Sequence, residues 1–218
     1  MKSLALLAAL SGFVSIVAFE AGVWWLAAPT KALTTISIIA YAWTRGATDQ
    51  YARAILAGLA LSLAGDIFLL WPRSGFMPGL VSFLLAHLAY LFAFSDRLKH
   101  GFALAPVAAY GAFTALMLIV LWPKIPDALH APVAVYVLAL AAMAAMAASR
   151  ATRLRKDAPE MAAGALTAAV GAGLFVVSDT TLAFNKFAGP LPLSSVWTLT
   201  TYWLAQWLIA SSVQAQAR

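Results

Sequence analysis

The chain has 218 residues, of which 63% are hydrophobic and only 10% charged, with a formal net charge of +6 and no cysteine. Soluble domains carry roughly 25% charged residues, so a water-soluble globule is excluded and an integral membrane protein is indicated. The lack of cysteine excludes disulfides and thiolate metal sites. The basic excess does not point to nucleic acid, because Lys and Arg sit in short connections and no basic face is interleaved with aromatics.

Backbone polar groups in lipid must be satisfied internally, so spans are helices or closed barrel strands. The apolar runs here are long and do not alternate, which selects helices. The pattern predicts an all-α polytopic membrane bundle, a single domain over 1–218, with eight transmembrane helices. They lie at about 3–19, 29–43, 53–71, 78–95, 103–122, 132–149, 161–184 and 195–213.

The first run follows Met-Lys-Ser and resembles a signal peptide. No small-x-small site stands before a polar mature segment, and Trp24 and Trp25 follow at interface-like positions, so it is read as a retained first span. Pro29 suits the first turn of the second helix. The third, AILAGLALSLAGDIFLLWP, carries Asp66 after Gly65, with Ser62 one turn earlier. The fourth carries His87, Tyr90 and Phe94 on one face. The segment Arg150 to Pro159 reads as a basic connection after the sixth helix. The seventh, MAAGALTAAVGAGLFVVSDTTLAF, carries Asp179 beside Ser178, Thr180 and Thr181, and Asn185 and Lys186 follow its end. On the eighth, Tyr202 and Gln206 share a face with Thr198 and Ser195.

A carboxyl group at such depth costs about 3 kcal/mol unless it faces protein or water. Asp66 and Asp179 are therefore expected to converge on one buried, water-accessible chamber, with His87 at mid-depth and Tyr202 and Gln206 nearby. Asp66, His87, Tyr202 and Gln206 each have a plain structural alternative, a hydrogen bond to a neighbouring helix, and Asp179 has one as an interfacial carboxyl paired with Lys186. Lys186 has three alternatives: snorkelling to headgroups, pairing with Asp179, or binding phosphate. His100 and His130 are expected in loops, so a three-His metal site is not expected; one His with two Asp remains an alternative metal set, without an HExxH-type spacing to signal it. Nucleophile elbows, P-loops and GxGxxG motifs are absent, and no cofactor is expected.

With the N-terminus cytoplasmic, the inside segments hold Lys2, Arg45, Arg53, Arg97, Lys99, Arg150, Arg153, Arg155, Lys156 and Arg218. The outside segments hold Lys31, Arg73, Lys124 and Lys186. This asymmetry places both termini inside and gathers the unusual polar residues in the outer half, with Glu20 and Lys31 flanking the first outer loop. The Ala-rich style suggests a bacterial inner membrane. A weak echo links SLAGDIFLL and LAHLAYLF to FVVSDTTLA and TYWLAQWL, which raises two four-helix repeats as an alternative to an unduplicated bundle.

Gly65-Asp66 running into Leu-Trp-Pro, His87-x-x-Tyr90, Leu174-Phe175-x-x-Ser178-Asp179-x-x-Leu182 and Tyr202-x-x-Ala205-Gln206-x-Leu208-Ile209 together resemble the YhhN-like lysoplasmalogenase family. The family pattern has Lys-Pro at the start of the second helix; here Lys31 is followed by Ala32. The resemblance implies hydrolysis of the vinyl ether bond of a lysophospholipid to a fatty aldehyde and a glycerophospho-headgroup. It implies Asp66, Asp179 and His87 as catalytic, one Asp donating a proton. Lys31, Tyr90, Asn185, Lys186, Tyr202 and Gln206 would bind substrate, with Lys31 and Lys186 toward the phosphate. Membrane lipids and the lysophospholipid are the implied partners, with no obligatory protein partner. A proton-coupled transporter is the rival expectation, since membrane carboxylates also build proton relays, and a polar structural clasp is a third.

Overall fold

A computed structural model describes residues 2–46, 49–71, 74–95 and 103–213. Arg73, Arg97, Lys99, His100 and Arg218 lie outside the described residues. Eight α-helices follow one another: α1 (Lys2–Glu20), α2 (Trp24–Thr44), α3 (Gln50–Phe68), α4 (Phe76–Ser95), α5 (Leu104–Leu121), α6 (Asp127–Asp157), α7 (Pro159–Ala183) and α8 (Ser194–Ser211). A 3-10 turn at Trp122–Lys124 and a π turn at Phe184–Ala188 complete the described helical structure. Among the described residues, six helices are long and apolar enough to cross a membrane; α2 and α8 are not among them. These two carry Lys31, Thr34, Thr35, Tyr202 and Gln206, all buried, so the residues that lower their hydropathy face protein.

The longest packing contacts join α1 with α2, α3 with α4, α6 with α7, and α7 with α8; α4 also lies along α6, and α2 along α8. Hydroxyls stitch the first hairpin. Ser11 Oγ and Thr34 Oγ1 lie 2.9 Å apart, and Ser15 Oγ donates to the Ala27 carbonyl at 3.0 Å. Interhelical hydrogen bonds of this kind assist association where lipid removes the usual hydrophobic drive. Large apolar side chains such as Leu10, Phe13, Leu116, Ile119 and Leu138 point outward and are exposed, as lipid solvent permits.

Three boundaries differ from the sequence expectation. Helix α2 begins at Trp24, so Pro29 lies inside it and Lys31 is buried in the helix instead of flanking a loop. Helix α6 runs from Asp127 to Asp157 with Pro132 inside. It therefore includes His130, expected in a loop, and Arg150–Lys156, expected in a connection. His130 stacks on Trp122 with ring centroids 4.2 Å apart. Two reasons account for them. Proline near a helix start is tolerated in membrane helices, where neighbours satisfy the freed carbonyl, and no breaker stands between Arg150 and Pro159. At 31 residues α6 is about 46 Å long, so its basic end projects beyond a hydrocarbon core of about 30 Å. Ala158 alone separates it from α7, whose Pro159 takes the first helical position.

Candidate active site

Because the chain alternates direction, the ends of α3 and α7 and the starts of α2, α4, α6 and α8 come to one side of the bundle. Asp66 lies near the end of α3 and is 2% exposed. Its Oδ2 accepts hydrogen bonds from Thr35 Oγ1 at 2.7 Å and from the Tyr202 hydroxyl at 2.8 Å. Its Oδ1 lies 3.3 Å from Lys31 Nζ, which also donates to the Asp66 carbonyl at 3.2 Å. Trp203 Nε1 donates to Thr35 Oγ1 at 3.3 Å. The carboxylate, the ammonium and their hydroxyl donors thus form a closed polar cluster between α2, α3 and α8.

Asp179 has a different setting. Its Oδ2 accepts from the Tyr136 hydroxyl of α6, and His87 Nε2 of α4 stands 3.9 Å from the same oxygen. His87 is fully buried, and neither ring nitrogen has a hydrogen-bond partner. Its ring packs edge-on against Tyr136 and Phe175, at 5.1 and 4.8 Å between centroids. Asp179, Tyr136 and Lys186 line a cavity of about 100 Å³ between α4, α5, α6 and α7, with room for several waters. Most of its wall is hydrocarbon, including Leu80, Phe83, Met117, Leu140 and Val176; Thr114 and Thr180 add hydroxyls.

The expected common chamber for the two carboxyls is not what the structure holds. The cavity reaches Asp179, while Asp66 is absent from its wall. Between them stand three rings: Phe83, Phe175 and Tyr202, packed edge-on at 5.5 to 6.3 Å. Phe83 belongs to both surfaces, since it lines the cavity and packs on the tyrosine that holds Asp66. Gly65 makes this possible. A Cβ there would stand 2.5 Å from Phe83 Cε2, so only glycine lets the ring lie against α3 beside Asp66.

The remaining candidates fall into place around these two centres. Tyr90 donates to Gln206 Oε1 at 2.6 Å, and both are fully buried. Asn185 Oδ1 accepts from the Leu191 amide at 2.9 Å and so braces the loop before α8. Lys186 is exposed, with its ammonium 4.0 Å from the Phe76 ring centroid and not on Asp179. Among the described residues no three His, Asp or Glu side chains come together as a metal set. Sequence inspection passed over Tyr136 and Thr35. Tyr136 did carry a signal: it is the one polar side chain between Pro132 and Ser149.

The YhhN family pattern matches residues 26–213. The chain belongs to the YhhN family. It is 36% identical over 190 residues to the lysoplasmalogenase TMEM86B of Sus scrofa, covering 87% of this chain and 76% of that one. It is 36% identical over 165 residues to the lysoplasmalogenase TMEM86A of Homo sapiens, covering 74% and 65% of the two chains. A bacterial YhhN relative, the uncharacterized membrane protein YhhN of Escherichia coli O157:H7, is 28% identical over 170 residues, 78% of each chain. No solved structure matches. The matched stretch takes in every residue of both polar centres, from Lys31 to Gln206.

Proposed function

We propose that this YhhN-family protein is a membrane hydrolase that cleaves the vinyl ether bond of lysoplasmalogens, releasing a fatty aldehyde and a glycerophospho-headgroup. The observation that carries this is Asp179, a carboxyl group set with Tyr136 in the wall of a mostly hydrocarbon cavity. Support comes also from relatives named as lysoplasmalogenases.

In the proposed reaction the alkyl chain lies among Leu80, Met117, Leu140 and Val176. Asp179 gives a proton to the outer alkene carbon, and the electron pair of the double bond forms the new C–H bond. The resulting oxocarbenium ion is stabilised by the carboxylate now beside it. Water adds to the cationic carbon and loses a proton to His87 or back to Asp179. The hemiacetal then collapses, its C–O bond breaking to give aldehyde and the glycerol hydroxyl. Carboxyls in apolar surroundings perform the acid step of glycosidases in the same way, and such assistance is typically worth ~10²–10⁴ in rate.

Asp66 takes a supporting part, fixing Tyr202 and with it the aromatic wall. Lys31 is held by Asp66, which leaves Lys186 at the cavity as the partner for the phosphate. The balance of basic residues favours the non-cytoplasmic half for this site. A transporter is not favoured, because the relatives carry enzyme names.

The bundle is further proposed to be two four-helix repeats. Gly58 and Asp66 on α3 have the spacing of Gly171 and Asp179 on α7, and Phe83, His87 and Tyr90 on α4 that of Thr198, Tyr202 and Ala205 on α8. Gly58 faces the Tyr90 ring and Gly171 faces the Ala205 carbonyl oxygen, at corresponding positions of the two halves, and the α2–α8 contact mirrors that of α6 with α4.

The test is purified protein in detergent with lysoplasmenylethanolamine, and with lysophosphatidylethanolamine as the ester control. Aldehyde from the first and no hydrolysis of the second is expected. Equal cleavage of both, or of neither, overturns the assignment.

A further inference from the structure

Tyr136 has no role in the motifs that define the family resemblance, yet it holds the cavity carboxyl. Its hydroxyl donates to Asp179 Oδ2, its ring packs on His87, and it lines the cavity. The oxygen that accepts a hydrogen bond from a phenol is the carbonyl-like one, so the acid proton belongs on Oδ1. In the first half of the chain the corresponding helix, α2, presents Lys31 and Thr35 to Asp66. There a cation compensates the carboxylate and closes the site; in the second half a neutral phenol stands in that place.

We propose that Tyr136 is the positioning residue of Asp179: it holds Oδ2 and leaves Oδ1 as the oxygen that exchanges a proton with a ligand in the cavity. The catalytic consequence rests on the lysoplasmalogenase reading above; the hydrogen-bonded positioning does not. Removing the hydroxyl keeps the ring, the cavity wall and the packing on His87, and takes away only the hold on the carboxyl.

Tyr136→Phe is therefore expected to lower kcat on lysoplasmenylethanolamine by roughly 10- to 100-fold, the scale of a misplaced reacting group, with KM changed by less than about twofold. In the Asp179→Asn background the same change should cost nothing further, because the two residues act as one unit. Tyr110→Phe on α5 removes a hydroxyl outside the cavity and should leave kcat as it is. An infrared arm does not depend on turnover. The side-chain carboxyl band that disappears in Asp179→Asn should shift in Tyr136→Phe and stay in place in Tyr110→Phe.

A rise in KM with unchanged kcat, additive losses in the double variant, or an unmoved infrared band overturns the proposal. Absence of aldehyde from the wild-type protein overturns the lysoplasmalogenase reading instead, and the infrared arm still decides the role of Tyr136. Should Tyr136→Phe fail to fold, Tyr136→Met, which also lacks the donor, is read by the same band. A band displaced relative to wild type supports the proposal, and a band in the wild-type position overturns it.

Discussion

Taking away the Lys31 ammonium while keeping Asp66 leaves a carboxylate 2% exposed, with two hydroxyl donors and no cation. Breaking a buried pair from one side is strongly destabilising because the surviving charge has no compensation, typically by about 3–5 kcal/mol. Lys31→Met should therefore lower the midpoint of thermal unfolding in detergent sharply. The double variant Lys31→Met/Asp66→Asn, in which no charge remains, should recover most of the loss. Equal stability of the two variants would mean that the pair is not an ion pair in the folded protein. The other carboxyl behaves differently under the proposed chemistry. Asp179→Asn should remove aldehyde formation by ~10²–10⁴ with a small effect on unfolding, whereas Asp66→Asn should act first on stability. An active Asp179→Asn protein would end the assignment of Asp179 as the acid.

Pairs of helices are spaced by small residues, and that spacing places the aromatic side chains at the site. On α3, a Cβ at Gly58 would stand 2.2 Å from Tyr90 Cε1. Gly58→Ala must therefore push α4 outward or turn Tyr90 away from Gln206. A cost of about 1–3 kcal/mol is expected, the usual range for overpacking a filled core. Gly111→Ala on α5 meets open space and should be neutral or slightly stabilising, by about 0.4–1 kcal/mol. Unfolding midpoints of the two variants, measured side by side, check both. The eight helices were legible in the sequence as apolar runs between breaks, though length and apolarity single out only six of the described helices as spans. Their ends were not legible at Pro29 and Pro132, because proline there reads as a boundary and bundle neighbours overrule it. Asp66, Asp179, His87 and Tyr202 stood out as polar groups in apolar runs. That they divide between two centres was hidden, because the dividing residues Phe83 and Phe175 look like any core aromatic. Tyr136 was passed over for a related reason: a tyrosine alone in an apolar helix resembles an interface anchor.

Across the whole molecule, the first three helices and α8 surround the closed Lys31–Asp66 centre, while α4 to α7 surround the open one. Helix α5 is the least enclosed of the candidate spans, yet Phe113, Thr114, Met117, Leu118 and Leu121 supply one cavity wall. A wall held mainly by α6 and otherwise bathed in lipid is the natural place for a lipid chain to enter sideways. The chain has no cysteine, so single introduced thiols report on this route without background. Thr114→Cys puts a near-isosteric thiol on the cavity wall; Val135→Cys puts one on a lipid-facing position of α6 that is 54% exposed. With an apolar maleimide, labelling at position 114 should slow when the cavity is filled with lysophosphatidylethanolamine, a ligand with the right chain and no cleavable vinyl ether. Labelling at position 135 should not change. Equal protection at both positions would mean that the lysolipid acts on the micelle and not in the cavity. Protection at neither would remove the chamber between α4 and α7 as the place where a hydrocarbon chain lies against Asp179.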